Sequence, residues 1–244
     1  MFDHTRRRWT ALAAVAATVA VAAAMTAALG SAGAARRSAG NAFGPGSFEI
    51  TNPYLPVSKF HRCVLRGDDQ GQQLRIVRVL KPRTKTFDYK GQKVEAAVVK
   101  DSVTDVKADR LIEQTIDYFA QDRAGTVFYF GEDVNEYTPG QPVSHEGQWR
   151  LGRDTNKPGV LMPAHPRVGD RFKSEAVPRI AVEKDEVVAA GKTQTVYGHT
   201  YRQVIKIREH ATTPKPAEFE SKTYAPDVGV ITEANGGVGL VGCS

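Results

Sequence analysis

The sequence of 244 residues lacks the short motifs by which many enzyme classes are recognised. It contains no G-x-S-x-G nucleophile elbow, no H-E-x-x-H or H-x-H zinc pattern and no glycine-rich phosphate loop. Asp68-Asp69 before Gly71 lacks the alternating ligands of a calcium loop. His145-Glu146 is an isolated dipeptide, and the other histidines beyond residue 34 are scattered. No metal, no cofactor and no catalytic residue is therefore predicted.

A clustered basic stripe is also missing. The formal net charge is +6, and about +4 belongs to the residues after position 34, because residues 1–34 carry three arginines and Asp3. This mild excess is spread along the chain, whereas nucleic-acid binders concentrate lysine and arginine on one face. No nucleic-acid partner is predicted.

Cysteine is scarce, with only Cys63 and Cys243 in the whole chain. Outside the cytoplasm two cysteines usually form a disulfide, and this one would link the last residues to an early strand. The alternative is a pair of free thiols. No cysteine follows the apolar N-terminal stretch, which argues against a lipoprotein.

The N-terminal segment has the layout of an export signal. Arg6-Arg7-Arg8 precedes an uncharged, alanine-rich stretch, and the small residues at 31–35 fit a cleavage site after Ala34. Residues 1–34 are predicted to be a signal peptide and the protein to be secreted or extracytoplasmic. The paired arginines also fit twin-arginine export. An uncleaved signal would be the only membrane attachment.

The remainder is predicted to form a short leader and one domain. Residues 35–47 are rich in glycine, alanine, serine and arginine and are expected to be disordered. Residues 48–244 contain no dividing linker and are expected to fold as a single domain, monomeric in solution.

Short β-like runs separated by turn residues indicate an all-β fold. About ten to twelve strands are expected, forming an antiparallel meander that curves into a half-barrel, a barrel or a sandwich. Alternation at 110–120 and 201–209 indicates strands with one polar face open to water. Residues 102–121 also have helical spacing, and a short helix at 103–109 is the most helix that we expect.

The densest group of aromatic and acidic residues lies between positions 117 and 170. One interpretation is a pocket in which Trp149, Tyr129 and Tyr118 stack on a ligand and Glu146 and Asp133 make polar contacts. The other interpretation is a hairpin whose aromatics fill the core. A pair of acids for hydrolysis could also be drawn from this region; the candidates are Glu132, Glu136, Glu146 and Glu175.

Five strings resemble a family of exported, uncharacterised actinobacterial proteins: DYFAQD at 117–122, VFYFGED at 127–133, EGQWRLG at 146–152, PGVLMPAHPRVGDRF at 158–172 and YAPDVGVITE at 224–233. The last string is also similar to a terminal hairpin of TapB-type or DUF3108-type extracytoplasmic proteins. Asp227 stands where that hairpin usually has glycine. Both resemblances imply an antiparallel β fold and carry no catalytic residue.

These observations favour an exported, non-catalytic protein with a ligand site in the concavity of a β-sheet. The expected partner is a lipid or another small hydrophobic or amphipathic ligand, or a cell-envelope component. The alternatives are an extracellular hydrolase with paired carboxylates and a purely structural secreted protein.

Overall fold

The computed structural model describes residues 42–213 and 217–244, which form a single antiparallel sheet. This confirms the predicted all-β class. The helices within the described ranges are two 3-10 turns, Val57–Lys59 and Ala234–Gly236, and neither is long and apolar enough to cross a membrane. The predicted signal peptide, residues 1–34, and residues 35–41 of the predicted leader lie outside the described residues.

Thirteen strands build the sheet across the described residues. They are β1 Arg62–Asp69, β2 Gln72–Tyr89, β3 Gln92–Asp105, β4 Arg110–Gln121, β5 Val127–Glu136, β6 Trp149–Arg150, β7 Gly159–Met162, β8 Arg171–Val177, β9 Ala181–Val196, β10 His199–Thr213, β11 Glu218–Ala225, β12 Gly229–Glu233 and β13 Val238–Cys243.

The strand order turns this sheet into a nearly closed, barrel-like surface. The order is β6-β5-β4-β3-β2-β1-β13-β12-β11-β10-β9-β8, and β7 pairs with β5 beside β6. Strand β7 also approaches β8, where the backbones come so close that a Cβ atom on Gly159 would lie 1.7 Å from the carbonyl oxygen of Ser174. The two ends of the sheet therefore meet at this contact.

Cys63 of β1 and Cys243 of β13 form the predicted disulfide. They are paired in register at the centre of the sheet, where the first and the last strands lie side by side. The covalent link thus joins two halves that are each built from consecutive hairpins.

The strand boundaries differ from the sequence prediction at identifiable points. A proline usually ends or interrupts a strand, but β2 continues through Pro82 because the β2–β3 register shifts between Leu80 and Thr84. A bulge removes the need for a backbone N–H at the proline. The possible helix at 103–109 is absent, because β3 extends to Asp105 and a turn leads directly to β4.

The predicted disordered leader needs correction where it overlaps the described chain. Phe43 is buried and makes edge-to-face contacts with Tyr89, Phe128 and Phe130. The hydroxyl of buried Ser47 donates a 2.7 Å hydrogen bond to the carbonyl oxygen of Glu95. Packing and hydrogen bonding therefore hold residues before Phe48, although their composition is typical of a flexible segment.

Residues 48–60, which we call the plug segment, pack against inward-facing side chains of the sheet. Ile50 is fully buried in a cluster with Val187, Ile205 and Ile207. The side-chain oxygen of Gln121 accepts hydrogen bonds from the backbone N–H groups of Thr51 and Asn52 at 2.9 and 2.8 Å. These contacts fix the plug segment across one part of the interior.

The prediction that the polar face of the strands is open to water is wrong for β4. Ile116, Tyr118 and Ala120 pack with the buried aromatic cluster around Phe43, on one face of the sheet. The alternate residues Thr115 and Asp117 are buried on the other face, which lines a cavity that is partly open to solvent. The apolar side of β4 thus faces a covered outer surface, and its polar side faces the interior.

Candidate functional site

The concave face of the sheet surrounds a cavity of about 330 Å³. One part of its wall is apolar and only half buried, which leaves carbon surface for a ligand. The half-buried apolar residues are Leu55, Val57, Phe60, Leu80, Phe119, Leu161, Val228 and Val230. They come from the plug segment and from strands on both sides of the barrel-like sheet.

The remainder of the wall is rich in acids. Among the described residues, nine carboxyl side chains line the cavity, against one guanidinium group, Arg78, and one ammonium group, Lys222. The nine are Asp69, Asp101, Glu113, Asp117, Glu132, Glu175, Glu183, Glu220 and Glu233. Such an excess of one charge inside a fold is costly unless the acids take up protons or bind a cation.

Arg78 of β2 binds two of these carboxyls. Its Nε atom lies 2.6 Å from Oδ2 of Asp101 on β3, and its Nη2 atom lies 2.5 Å from Oε1 of Glu233 on β12. Burial raises the pKa of Asp101. Burial also opposes ionisation of Glu233, but Arg78 and Lys222 outweigh it and lower the pKa of that carboxyl. Arg78 is therefore fully engaged by its neighbours.

Lys222 of β11 is engaged in the same way. Its Nζ atom lies 2.9 Å from Oε2 of Glu209 on β10. Burial opposes the charge of Lys222, but Glu209, Glu220 and Glu233 raise its pKa above the ordinary value. The ammonium group of Lys222 therefore remains charged and interacts with these three glutamates.

Three acids lie in one row across adjacent strands. Glu209 of β10 pairs in register with Asp185 of β9 on one side and with Glu220 of β11 on the other. Acids at directly opposed positions repel each other. Burial raises the pKa of Asp185 and Glu209 to about 7 and that of Glu220 to about 8. The charge of Glu209 adds to this effect at Asp185 and Glu220, and Glu183 and Glu233 add to it at Glu209.

Ser174 of β8 organises two acids of β9. Its backbone N–H donates to Oδ2 of Asp185 at 2.8 Å, and its hydroxyl donates to Oε1 of Glu183 at 2.6 Å. Burial raises the pKa of Glu183 to about 8, and the charge of Asp185 adds to this effect. Carboxylate oxygens of Glu183, Asp185 and Glu209 lie within 4.8 Å of one another, so these residues could supply oxygen ligands to a hard cation.

Asp117 of β4 is held by hydroxyl groups. The Tyr129 hydroxyl donates to its Oδ1 atom at 2.6 Å, and the Thr115 hydroxyl donates to Oδ2 at 3.0 Å. Burial raises the pKa of Asp117 to about 7 despite these two hydrogen bonds. A carboxyl with this pKa can give or take a proton near neutral pH.

Of the residues predicted to bind a ligand, Tyr129 is the one that lines the cavity. Trp149 is fully buried in the core behind the wall, where its ring makes an edge-to-face contact with Tyr129. Its Nε1 atom donates a 2.9 Å hydrogen bond to Oε1 of Glu175, which does line the cavity. Trp149 thus supports the wall from outside.

The other three predicted residues lie away from the cavity. The Tyr118 hydroxyl donates to Oδ2 of Asp133 at 2.7 Å, and Arg150 forms an ion pair with the same carboxylate. Burial raises the pKa of Tyr118 to about 12. Burial also opposes ionisation of Asp133, but Arg150 and Tyr118 together outweigh it and lower the pKa of that carboxyl. Glu146 is exposed in the turn before β6.

The acids proposed for hydrolysis are divided between the interior and other surfaces. Glu132 and Glu175 line the cavity, whereas Glu136 and Glu146 do not. The sequence analysis did not identify the interior acids on β9, β10 and β11 as candidate site residues. Their sequence signal is weak but present: Glu183 and Asp185 are two residues apart on one strand, as are Glu218 and Glu220 on another.

Comparison with known proteins gives little further information. No family model matches the chain, and no curated protein matches it. A solved structure from Bacteroides fragilis, of a protein inferred to be exported and to have a YmcC-like fold, matches 74% of this chain and 92% of its own. The two share 12% identity with a TM-score of 0.35, a likeness that carries no argument about function.

The fold and the cavity define the class to which this chain belongs: a disulfide-linked, barrel-like antiparallel sheet with an acid-lined interior. The resemblances to exported actinobacterial proteins and to TapB-type or DUF3108-type hairpins gain no support from the comparisons.

Proposed function

We propose that the protein binds an amphipathic small molecule in the cavity of its sheet. The observation that carries this proposal is a cavity of about 330 Å³ with half-buried apolar side chains on one part of its wall and carboxyl groups on the other. Ligand sites typically occupy ~300–1,000 Å³ and combine apolar walls with a few polar groups. A lipid fragment or a small hydrophobic molecule with one polar end fits this description.

The disulfide supports a location outside the cytoplasm for this activity. Disulfides such as Cys63–Cys243 persist in oxidising compartments and are rare where thiols are kept reduced. The predicted export signal points the same way, although it lies outside the described residues.

A neutral, environment-sensitive dye such as Nile red tests the proposal. We expect the protein from residue 42 onward, with its disulfide intact, to enhance the dye's fluorescence saturably at about one site per chain. Val57→Trp, which enlarges a half-buried side chain of the cavity wall, is expected to reduce this binding at least fivefold. Val241→Trp is the matched control, because Val241 is 46% exposed and lies outside the wall.

Native mass spectrometry of the freshly purified protein provides an independent measurement. A mass excess that disappears on denaturation would identify a retained ligand. Equal dye binding by Val57→Trp and the wild type would place the dye outside the cavity. No saturable binding together with no retained ligand would overturn the proposal.

A hydrolase that uses cavity carboxyls is the second candidate function. The observation in its favour is Asp117, a buried acid whose pKa lies near 7 in a wall that also contains Glu132 and Glu175. Chromogenic glycosides and esters are suitable test substrates. The hydrolase predicts turnover that Asp117→Asn lowers at least 100-fold, and turnover that is unchanged in this variant, or absent throughout, would reject it.

A further inference from the structure

We propose that the ligand is an organic cation, whose ammonium group lies between the cavity carboxyls of Glu175 and Glu183 and whose apolar part covers the half-buried wall. This inference rests on the proposed ligand-binding function and adds the charge and the donor chemistry of the ligand's polar end.

The charge of the wall favours a cation. Within the part of the chain that the structure describes, nine carboxyls line the cavity, and its two permanently charged cationic residues are already engaged. Arg78 binds Asp101 and Glu233, and Lys222 binds Glu209. An anionic ligand would therefore have to displace an internal ion pair, whereas a cationic ligand adds the charge that the wall lacks.

The hydrogen bonding of three acids gives an independent reason. Oε1 of Glu175 accepts from Trp149, Oε1 of Glu183 accepts from the Ser174 hydroxyl, and Oε1 of Glu220 accepts from the backbone N–H of Ala234 at 2.7 Å. The second oxygen of each carboxyl receives no hydrogen bond from the described residues. Glu175 and Glu220 are nevertheless only 9% and 6% exposed.

Carboxyl oxygens of cavity-lining residues that accept no hydrogen bond from the protein, and that are not enclosed by it, can accept one from a ligand; an ammonium group supplies three donors. The positions of these acids suit such a group, since Glu175 and Glu183 are paired in register on β8 and β9. Because the same cavity presents half-buried apolar side chains, an organic amine satisfies the wall better than a bare metal ion does.

The test compares three compounds with the same eight-carbon tail: octylammonium, octanol and octanoate. Isothermal titration calorimetry is performed at pH 7.5 with EDTA. We expect octylammonium to bind at least tenfold more tightly than octanol, and octanoate to bind most weakly.

Variants then locate the ammonium group. Glu175→Gln and Glu183→Gln should each weaken octylammonium binding at least fivefold and leave octanol binding within twofold. Asp88→Asn is the matched control, because it also converts a carboxyl to an amide but its side chain is 76% exposed and lies outside the cavity wall. Circular dichroism melts verify that each variant is folded.

The outcomes separate the inference from the proposed function on which it rests. Binding of octanol and octanoate as tight as that of octylammonium would preserve the ligand-binding function and overturn the cation inference. Equal losses in Asp88→Asn and Glu183→Gln would also overturn it. If none of the three compounds binds and Nile red does not bind either, both proposals fall.

Discussion

The indole ring of Trp149 connects the outer core to the wall of the cavity. It is fully buried at edge strand β6, and its N–H group is the hydrogen-bond donor to Glu175. An aromatic residue next to acids in the sequence could equally have been a stacking surface for a ligand. What decides its role is burial, because a fully buried ring has no face left for a ligand.

We expect Trp149→Phe to lower the free energy of unfolding by about 2–4 kcal/mol. The change removes a buried hydrogen bond to a carboxyl and leaves a small void. Urea denaturation followed by circular dichroism measures it. Glu175→Gln is the comparison, since it keeps an oxygen acceptor for the indole N–H and should cost less than Trp149→Phe; a larger loss in Glu175→Gln would contradict this role for the hydrogen bond.

Tyr129 and Asp133 show why the site could be predicted only in part. Alternate residues of a regular strand face the same side, so Tyr129 and Asp133 would both face one side of β5. A bulge intervenes, because Tyr118 pairs with Gly131 while Phe119 pairs with Tyr129. Gly131 has a φ of 128°, and a Cβ atom there would lie 2.3 Å from the carbonyl oxygen of Trp149. The bulge turns Tyr129 and Glu132 towards the cavity and Asp133 away from it.

At the scale of elements, turn residues and alternation were sufficient to predict an antiparallel all-β chain of about ten to twelve strands, close to the thirteen of the described residues. They were insufficient at bulges, as at Pro82, because a register shift depends on the neighbouring strand. Turn residues and alternation also do not indicate which face of the sheet is on the outside. Both faces of a barrel-like sheet are partly covered. The alternate polar residues of a strand can therefore face the interior as well as solvent.

The contact between β7 and β8 depends on the absence of a side chain at Gly159. We expect Gly159→Ala to lower the free energy of unfolding by about 2–4 kcal/mol, because the added Cβ atom would overlap the carbonyl oxygen of Ser174 and push the two strands apart. The same change should weaken dye binding, since Ser174 and Leu161 both line the cavity.

Gly242→Ala is the matched control for this prediction, because nothing lies within 4 Å of a Cβ atom built there. It should change stability by less than ~0.5 kcal/mol, as surface substitutions usually do. Similar urea midpoints for Gly159→Ala and the wild type would show that the approach of β7 to β8 does not contribute to stability.

For the whole molecule, the buried acids predict a stability that falls as the pH rises. Asp117, Glu183, Asp185, Glu209 and Glu220 have pKa values of about 7 or 8 in the folded protein. Their ordinary values are 3.8 and 4.5 for aspartate and glutamate. Between these limits the folded state holds protons that the unfolded state has released.

The free energy of unfolding should therefore decline from about pH 4 up to about pH 8, by ~1.4 kcal/mol per pH unit for each proton that the two states bind differently. Groups whose pKa is lowered, such as Glu233, have the opposite effect and lose their contribution at still lower pH. Thermal melts of the ligand-free protein at pH 5, 6, 7 and 8 measure this; a Tm that rises over this range would contradict it.

Glu220→Gln is expected to flatten the decline, because the amide carries no proton that is lost in this window. Asp88→Asn should leave the slope unchanged, since Asp88 is largely exposed. Equal slopes for both variants would show that the buried acid at position 220 does not determine the pH response.

The disulfide is the other property of the whole molecule that the sequence predicted, because both cysteines had no alternative partner in the chain. We expect Cys63→Ser with Cys243→Ser to lower the free energy of unfolding by about 4–5 kcal/mol, since the link closes a loop with a sequence separation of 180 residues. Urea denaturation with and without reductant measures the loss. The reductant should have no effect on the double variant.

The place of β1 beside β13 has a consequence for how the chain acquires its structure. Strands β2–β5 and β9–β13 can each pair with a sequence neighbour as soon as both have emerged from a ribosome or a membrane pore. The pairing of β1 with β13 has to wait until nearly the entire polypeptide is released, because these partners are far apart along it. Until that moment the acid-rich interior stays in contact with water. Because the chain is released from its N-terminus to its C-terminus, its carboxyl groups are expected to lose their water only in the last step of assembly.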